Sequence, residues 1–373
     1  MVLPRKGATL VVLALAALSS AQRVHAVHTS TDDVLPGWKG EVYNHVDFFW
    51  DPLKKEPLDD IPLPASKSWI EHVAWKPRVF IYHNFITEVE AKHLIELAAP
   101  QMKRSTVVGA GGQSVEDNYR TSYGTFLKRY QDEIVERIEN RVAAWTQIPV
   151  PHQEDTQILR YGLGQQYKVH ADTLRDEEAG VRVATVLIYL NEPDGGGETA
   201  FPSSEWVNPQ LAKSLGANFS DCARNHVAFA PKRGDALLFW SINPDGTTED
   251  THASHTGCPV LGGVKWTATK WIHAKPFRPS EMAAGRPHEP YVKDPGLCND
   301  ESPNCPEWAA RGDCDKNHDY MVVNAVSPGV CRKSCGACKE CAPGDMACYN
   351  ENRVKVGFLV FNASELAPFR PMV

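Results

Sequence analysis

Alternating apolar and polar positions predict the secondary structure of this chain in two textures. Arg78-Val-Phe-Ile-Tyr82 is rich in β-branched and aromatic residues and predicts a strand. From Glu88 to Ala99 the spacing changes to helical, with Val89, His93, Leu94 and Leu97 recurring on one side. Thr87 and Glu90 have the spacing of a capping box at the start of that helix. Gly109 to Asp117 is polar and glycine-rich and reads as a loop. A second helix lies within Tyr123–Trp145, with Ile134, Val135, Ile138 and Val142 on its apolar face. After Pro151 short strand candidates follow one another: 156–161, 166–170, 182–190, 236–240 and 265–274. Turn signals separate them, as at Pro193-Asp-Gly-Gly-Gly197 and Pro244-Asp-Gly246. Two helices followed by many short strands predict an α+β fold, with helices packed on one side of an antiparallel double sheet, a jelly roll or double-stranded β-helix.

The ends of the chain have other patterns. Arg5 and Lys6 precede an apolar run from Ala8 to Leu18, and small residues follow at Ser19–Ala21. This is the pattern of a secretory signal with cleavage near Ala21 or Ala26. The run falls short of the roughly 20 apolar residues that cross a bilayer, which favours a cleaved signal over a membrane anchor. Residues 27–70, rich in Asp, Pro and Trp, read as an extended leader wrapping the catalytic domain. Pro276–Pro295 carries five prolines and little apolar content and reads as a linker. The apolar stretch Val356–Phe361 is short. The divisions expected are thus a signal at 1–26, leader at 27–70, catalytic domain at 71–277, linker at 278–297, a cysteine-rich module at 298–338 and a tail at 339–373.

Charge and cysteine content narrow the function. A net charge of -7 gives no support to a nucleic-acid partner. Ten cysteines behind a signal predict disulfides formed in an oxidising lumen. Only Cys222 and Cys258 precede residue 290, which predicts that they pair with each other. The other eight lie between Cys298 and Cys348 and mark a separate stapled module. Sequons at Asn218 and Asn362 suit the same compartment, although sequons are common by chance.

The candidate chemistry starts at His170-Ala-Asp172. Positions i and i+2 of a strand point to one face, so an imidazole and a carboxylate project together. A second histidine from another strand would complete a facial triad with open positions, the arrangement suited to non-haem iron(II). The triplet alone is weak, because His-x-Asp arises often by chance. Downstream, His255-Thr-Gly-Cys-Pro-Val260 is followed by Lys265, ten residues after the histidine and beyond Gly262-Gly263. In that reading His255 closes the triad and Lys265 holds the remote carboxylate of a dicarboxylate.

The ordered pattern His170-x-Asp172, His255, Lys265 resembles the prolyl 4-hydroxylase family of 2-oxoglutarate oxygenases, nearest its plant and green-algal type. The surrounding words match too: Trp75-Lys-Pro-Arg-Val-Phe80, Arg120-Thr-Ser122, Leu159-Arg-Tyr161, Gly164-Gln-Gln-Tyr167, Gly197-Glu-Thr199, Lys232-Arg-Gly-Asp-Ala-Leu237 and Trp266-Thr-Ala-Thr-Lys-Trp-Ile-His273. The similarity covers about residues 70–277. It implies iron(II) on His170, Asp172 and His255. It also implies 2-oxoglutarate on Lys265 with hydrogen bonds from Tyr161 and Thr199, O2 as cosubstrate and ascorbate as reductant. Tyr167, Arg182 and Trp271 match positions lining a groove for polyproline II substrates. The implied reaction is 4-hydroxylation of peptidyl proline in Pro-rich proteins of the endoplasmic reticulum or Golgi lumen. His252 competes with His255 but lacks the His-x-Gly-Cys-Pro context. Two departures concern the groove: Thr173-Leu174-Arg175 stand where the family has aromatics, and the segment from Asp172 to Arg182 is short. A lysyl hydroxylase on the same iron core and an inactive binding protein are the alternative readings.

Cys298, Cys305, Cys314, Cys331, Cys335 and Cys338 resemble the ShK toxin-like domain. That resemblance implies the pairs Cys298–Cys338, Cys305–Cys331 and Cys314–Cys335, which leaves Cys341 and Cys348 to pair. Six cysteines alone allow fifteen connectivities. The spacing Cys335-x-x-Cys338-x-x-Cys341 also leaves a zinc site open.

Overall fold

A computed structural model describes residues 68–108, 114–115, 118–208, 210, 219–283, 294–323, 328–361 and 365. The signal, most of the leader and both sequons, Asn218 and Asn362, lie outside these residues. In chain order the strands are β1 (Trp69–Trp75), β2 (Arg78–His83), β3 (Lys103–Arg104), β4 (Val107–Val108), β5 (Ser114–Val115), β6 (Tyr123–Leu127), β7 (Thr156–Tyr161), β8 (Tyr167–His170), β9 (Arg175–Asp176), β10 (Gly180–Tyr189), β11 (Gly195–Gly196), β12 (Thr199–Phe201), β13 (Val227–Phe229), β14 (Ala236–Trp240), β15 (His255–Gly257), β16 (Val260–Gly262) and β17 (Lys265–His273). The major sheet runs β1-β2-β14-β10-β17-β7-β6-β3, with β9 paired to β10, and the minor sheet runs β13-β12-β15-β8. Every pairing in both is antiparallel. This is the double sheet with helices on one side that the sequence predicts.

Strand alternation sorts the major sheet into two faces. On its outer face Ile158, Ala184, Val186, Ile188, Trp266, Ala268 and Ile272 pack in one cluster with the helices α1 (Glu88–Ala98) and α2 (Glu133–Thr146). On its inner face Tyr189, Leu237 and Phe239 meet Phe201, Val227 and Phe229 of the minor sheet. All nine residues of β17 are buried, as expected of a strand covered on both sides.

The helix ends follow from local chemistry. Thr87 Oγ1 accepts from Glu90 N and the Glu90 carboxylate accepts from Thr87 N, closing the predicted capping box. Asp132 caps α2 through Ile134 N and Val135 N. Val135, Ile138 and Val142 are buried, and Ile134 packs on the same cluster at its edge. The helix begins at Glu133, and the upstream residues Tyr123–Leu127 form β6, which the sequence did not reveal. Trp69 and Ile70, expected in the leader, belong to β1.

Two buried ion pairs join the helices to the rest. Arg141 on α2 meets Glu90 on α1 at 2.8 Å, both side chains fully buried. Lys270 on β17 meets Glu139 on α2 at 2.8 Å, also fully buried, and donates to Glu154 O at 2.6 Å.

The cysteines form five disulfides and none is free: Cys222–Cys258, Cys298–Cys338, Cys305–Cys331, Cys314–Cys335 and Cys341–Cys348. The zinc alternative therefore fails, because all three of its cysteines are already bonded. Five disulfides mark a protein of the oxidising secretory pathway. The module carries α4 (Cys305–Ala310), α5 (Asp313–Lys316), α6 (His318–Met321) and α7 (Met346–Val354), after a short α3 (Pro279–Ala283) in the stretch read as linker. No described helix is long and apolar enough to cross a membrane.

The Lys270–Glu139 pair yields a stability prediction. Removing one side of a buried pair costs about 3–5 kcal/mol, whereas replacing both can be nearly neutral. Lys270→Met is expected to lower the thermal midpoint strongly, and Lys270→Met/Glu139→Leu to recover much of the loss. Equal midpoints for Lys270→Met and wild type would show that the pair contributes nothing to stability.

Candidate active site

The inner faces of the two sheets bring together the residues singled out in the sequence. His170 ends β8 and His255 opens β15, and the two are cross-strand partners. Their ring centroids are 4.3 Å apart. Asp172 lies two residues beyond β8. Its Oδ1 is 3.6 Å from His170 Nε2 and its Oδ2 3.8 Å from His255 Nε2. One ligand atom from each of the three falls within 4.8 Å of the others.

The hydrogen bonds around this cluster fit a metal ion. His170 Nδ1 donates to Lys168 O at 2.7 Å and His255 Nδ1 to Ala253 O at 3.0 Å. A ring nitrogen next to a carbonyl carries the proton, so both Nε2 lone pairs face the shared space. Asp172 Oδ2 accepts from Thr185 Oγ1 at 2.8 Å. Burial, reinforced by neighbouring His255, lowers His170 to about 3, so its ring is neutral near pH 7. Burial alone would raise Asp172, but His255, His170, Arg182 and the Thr185 hydroxyl hold it at about 2. Two imidazoles, each with Nδ1 bonded to a backbone carbonyl, and one carboxylate are the donor set of a facial triad with open positions. His252 is not part of it. Its side chain is 42% exposed and its Nδ1 contacts Asp250 Oδ1 at 3.0 Å.

Beyond the triad a cavity of about 50 Å³ runs between the sheets, lined among others by Tyr161, Thr199, Thr267 and Lys265. Lys265 opens β17 directly opposite Tyr161 on β7. Its Nζ sits 5.6 Å from the centres of the Tyr161 and Tyr189 rings. Burial brings the ammonium down to about 7, with Glu198 pulling weakly the other way. Among the described residues no carboxylate lies within ion-pair distance of Nζ. Tyr189 donates to Thr199 Oγ1 at 2.9 Å, and burial keeps Tyr161 a protonated phenol. Gly197 (φ +71°) lets the strand pass close by, since a Cβ there would sit 3.2 Å from Lys265 Cδ.

An open groove of about 630 Å³, which shares Arg120, Tyr167, Asp172 and Trp271 with the inner cavity, also contains Arg182. Tyr167 stacks on His170 at 3.5 Å, and the Arg120 guanidinium lies over Tyr167 at 4.8 Å. Arg182 lies over Trp271 at 4.0 Å and grips Glu154 through Nε and Nη2. Trp271 Nε1 is buried with no hydrogen-bond partner among the described residues. The departures noted in the sequence fall here: Thr173 and Leu174 line the groove, and Leu174 is 41% exposed.

Each site residue expected from the sequence therefore lines the triad, the inner cavity or the groove. Sequence reasoning missed Arg120, Gln157, Glu154 and His273. Arg120 donates to Gln157 Oε1 at 2.7 Å, and His273 Nε2 meets Glu154 Oε1 at 2.7 Å. Arg120 and His273 stood within the words Arg120-Thr-Ser122 and Trp266-Thr-Ala-Thr-Lys-Trp-Ile-His273, but nothing gave them or the two others a role.

Comparison with known proteins agrees with this geometry. Residues 156–273 match the 2OG-Fe(II) oxygenase superfamily, and residues 297–338 match the ShK domain-like family. Two Arabidopsis thaliana proteins are similar over most of their length. "Probable prolyl 4-hydroxylase 4" is 41% identical over 279 residues, 74% of this chain and 90% of the relative. "Prolyl 4-hydroxylase 2" is 40% identical over 278 residues, 73% of this chain and 89% of the relative. A solved viral collagen prolyl hydroxylase from Paramecium bursaria Chlorella virus-1 covers 52% of this chain and 96% of its own, at 24% identity and a TM-score of 0.38. By its matches over nine-tenths of these plant relatives, the chain belongs to the prolyl 4-hydroxylase family of iron(II)- and 2-oxoglutarate-dependent oxygenases, with a ShK-like domain at its C-terminal end.

Proposed function

We propose that His170, Asp172 and His255 hold the iron, that Lys265, Tyr161 and Thr199 hold 2-oxoglutarate, and that Tyr167, Arg182 and Trp271 seat a Pro-rich polypeptide in the polyproline II conformation. One observation carries this reading: a buried lysine with no carboxylate partner among the described residues shares its cavity with three convergent metal-ligand atoms. When bound, iron(II) and 2-oxoglutarate supply the oxidising chemistry, in which O2 is consumed, 2-oxoglutarate becomes succinate and CO2, and proline gains a 4-hydroxyl group. The chain's own residues supply placement. Lys265 neutralises the remote carboxylate, and the Tyr161 phenol and the Thr199 hydroxyl add hydrogen bonds to it. Lys265 and the triad line one cavity, so a dicarboxylate held by Lys265 would have its other end within the space the triad shares. The aromatic faces of Tyr167 and Trp271 suit a preformed polyproline II chain, which loses little entropy on docking. Trp271 Nε1 is free to donate to a substrate carbonyl.

Prolyl rather than lysyl substrate is favoured by charge. Among the described residues the groove is lined by Arg104, Arg120 and Arg182, and the one lining carboxylate is Asp172, a triad member. Among those residues a lysine side chain finds no counter-charge outside the triad. The lumen of the endoplasmic reticulum or Golgi is the compartment this reading assigns, with ascorbate as reductant and Asn218 and Asn362 as glycosylation sites. The division into leader, catalytic domain, linker and ShK-like module at the boundaries read from the sequence belongs to the same proposal.

His170→Ala, Asp172→Ala and His255→Ala should each abolish succinate release and peptide hydroxylation while circular dichroism stays native. His252→Ala should stay active. Near-normal turnover in any of the three would remove the triad assignment. Mass spectrometry of Pro-rich and Lys-rich peptides after incubation with iron(II) and 2-oxoglutarate tests the substrate class, and hydroxylation of the lysines alone would overturn it.

Lys265 gives a pH signature. Its ammonium sits at about 7, and only the charged form binds a carboxylate. Below that pH the charge is already present. Above it, each binding event must take up a proton. The KM for 2-oxoglutarate should therefore be flat below pH 7 and rise above it, by at most about tenfold per unit. Lys265→Arg, charged throughout, should abolish the rise. Lys265→Ala should raise KM by roughly a hundredfold to several-thousandfold, the equivalent of about 3–5 kcal/mol for a broken buried pair. A KM unchanged in Lys265→Ala would place the cosubstrate elsewhere.

A further inference from the structure

The segment that follows the cysteine module returns to the catalytic domain and packs behind the cosubstrate cavity. Arg353 of α7, fully buried, donates to Leu359 O at 2.7 Å and to Ala99 O and Pro100 O at 3.1 Å each. Leu359 N donates to Met102 O at 2.8 Å, and Phe358 bridges Lys103 of β3. The segment thus covers the β3 edge of the major sheet. Leu359 and Phe361 then enter the outer core. Phe361 stacks on Trp266 at 6.4 Å and 11°. Farther along, the Glu365 carboxylate takes both Nε and Nη2 of Arg160 at 2.8 Å, with the two side chains only 8% and 13% exposed.

The two anchor points are neighbours. Arg160 and Trp266 are cross-strand partners on β7 and β17, and the next pair in the register is Tyr161 and Lys265. Because successive side chains of a strand point to opposite faces, Arg160 and Trp266 face the C-terminal segment while Tyr161 and Lys265 face the cavity. Beyond β7 only β6 and the two-residue β3 complete the sheet, and a sheet edge is where strands loosen first.

We infer that Phe361 and Glu365 are positioning residues for 2-oxoglutarate: from the outer face they fix the Arg160–Trp266 pair, and through it the inward Tyr161–Lys265 pair. This rests on the proposed role of Lys265 and Tyr161. The ShK-like module is thereby tied to the catalytic domain by a segment that acts on cosubstrate rather than on peptide.

The full-length chain, loaded with Mn(II), is titrated calorimetrically with 2-oxoglutarate, and KM and kcat are measured separately with iron(II). Glu365→Gln and Phe361→Ala should each weaken 2-oxoglutarate binding and raise its KM by about threefold or more, with kcat at saturation and the peptide KM unchanged. The charge exchange Arg160→Glu/Glu365→Arg should restore binding relative to Arg160→Glu alone. Wild-type binding in both single variants, even with a lowered melting temperature, would reduce the segment to a stabilising appendage and overturn the inference. So would a change confined to kcat or to the peptide KM. Lys265→Ala serves as the reference. If it too binds 2-oxoglutarate normally, the cavity assignment has failed; if it alone loses binding, only the present inference has.

Discussion

A lysine held between two sheets, with no carboxylate partner among the described residues, is the constraint on which the rest of this structure depends. Removing a charge from water without pairing it is expensive, and the drop of Lys265 to about 7 is the sign of that cost. Such a group persists only if the surrounding packing leaves it no route to solvent. The major sheet provides this by burying β17 on both faces, so that Lys265 is fixed by its strand register opposite Tyr161. The same register sends Trp266, Ala268 and Ile272 into the outer core. A single strand thereby serves as a structural wall on one side and a binding surface on the other.

Support for that wall comes from charges as well as from apolar packing. Lys270, on the same strand, is fully buried like Lys265, but it meets Glu139 and a backbone carbonyl. The contrast between the two lysines is informative, because both are desolvated and, among the described residues, only Lys270 meets a carboxylate. Buried polar groups in native proteins are nearly always paired, which is why Lys265 stands out. Glu154 extends the paired set toward the groove, accepting from Arg182 and meeting His273. Burial would raise Glu154, yet His273 and Arg182 lower it, so its carboxylate stays ionised at neutral pH and anchors Arg182, whose guanidinium lies 4.0 Å over Trp271.

What the sequence made legible follows from range. The capping box at Thr87–Glu90, the apolar face of α2 and the strands β2, β7, β10 and β17 each depend on residues a few positions apart, and the four strands are found within one or two residues of their expected bounds. The three ShK-like disulfides and the triad were legible through ordered words that resemble a family, whereas Cys222–Cys258 followed from those two being the only cysteines before residue 290. The two- and three-residue strands β11, β12, β13, β15 and β16 were not legible, because so short a run has no period to read. Nor were the contacts across 28 and 119 positions that build the Glu154 network, or the return of Val356–Phe361 to the outer core, which on paper is only a short apolar run.

The three triad residues are not held equally. His255 follows a short turn at Thr251–Ala253 whose start is capped by Asp250, and its Nδ1 is bonded to Ala253. Three residues later Cys258 is fixed by the disulfide to Cys222 and by its amide to Glu198 O, while the Glu198 carboxylate holds Ser220. His170 lies within β8 and is pressed by the Tyr167 ring. Asp172 stands beyond the end of β8, outside any strand, and a single side-chain hydrogen bond from Thr185 orients it. Thr173 and Leu174 come immediately after it and line the groove. That stretch therefore joins the Asp172 carboxylate directly to the groove wall, while the two imidazoles are carried by paired strands of the minor sheet.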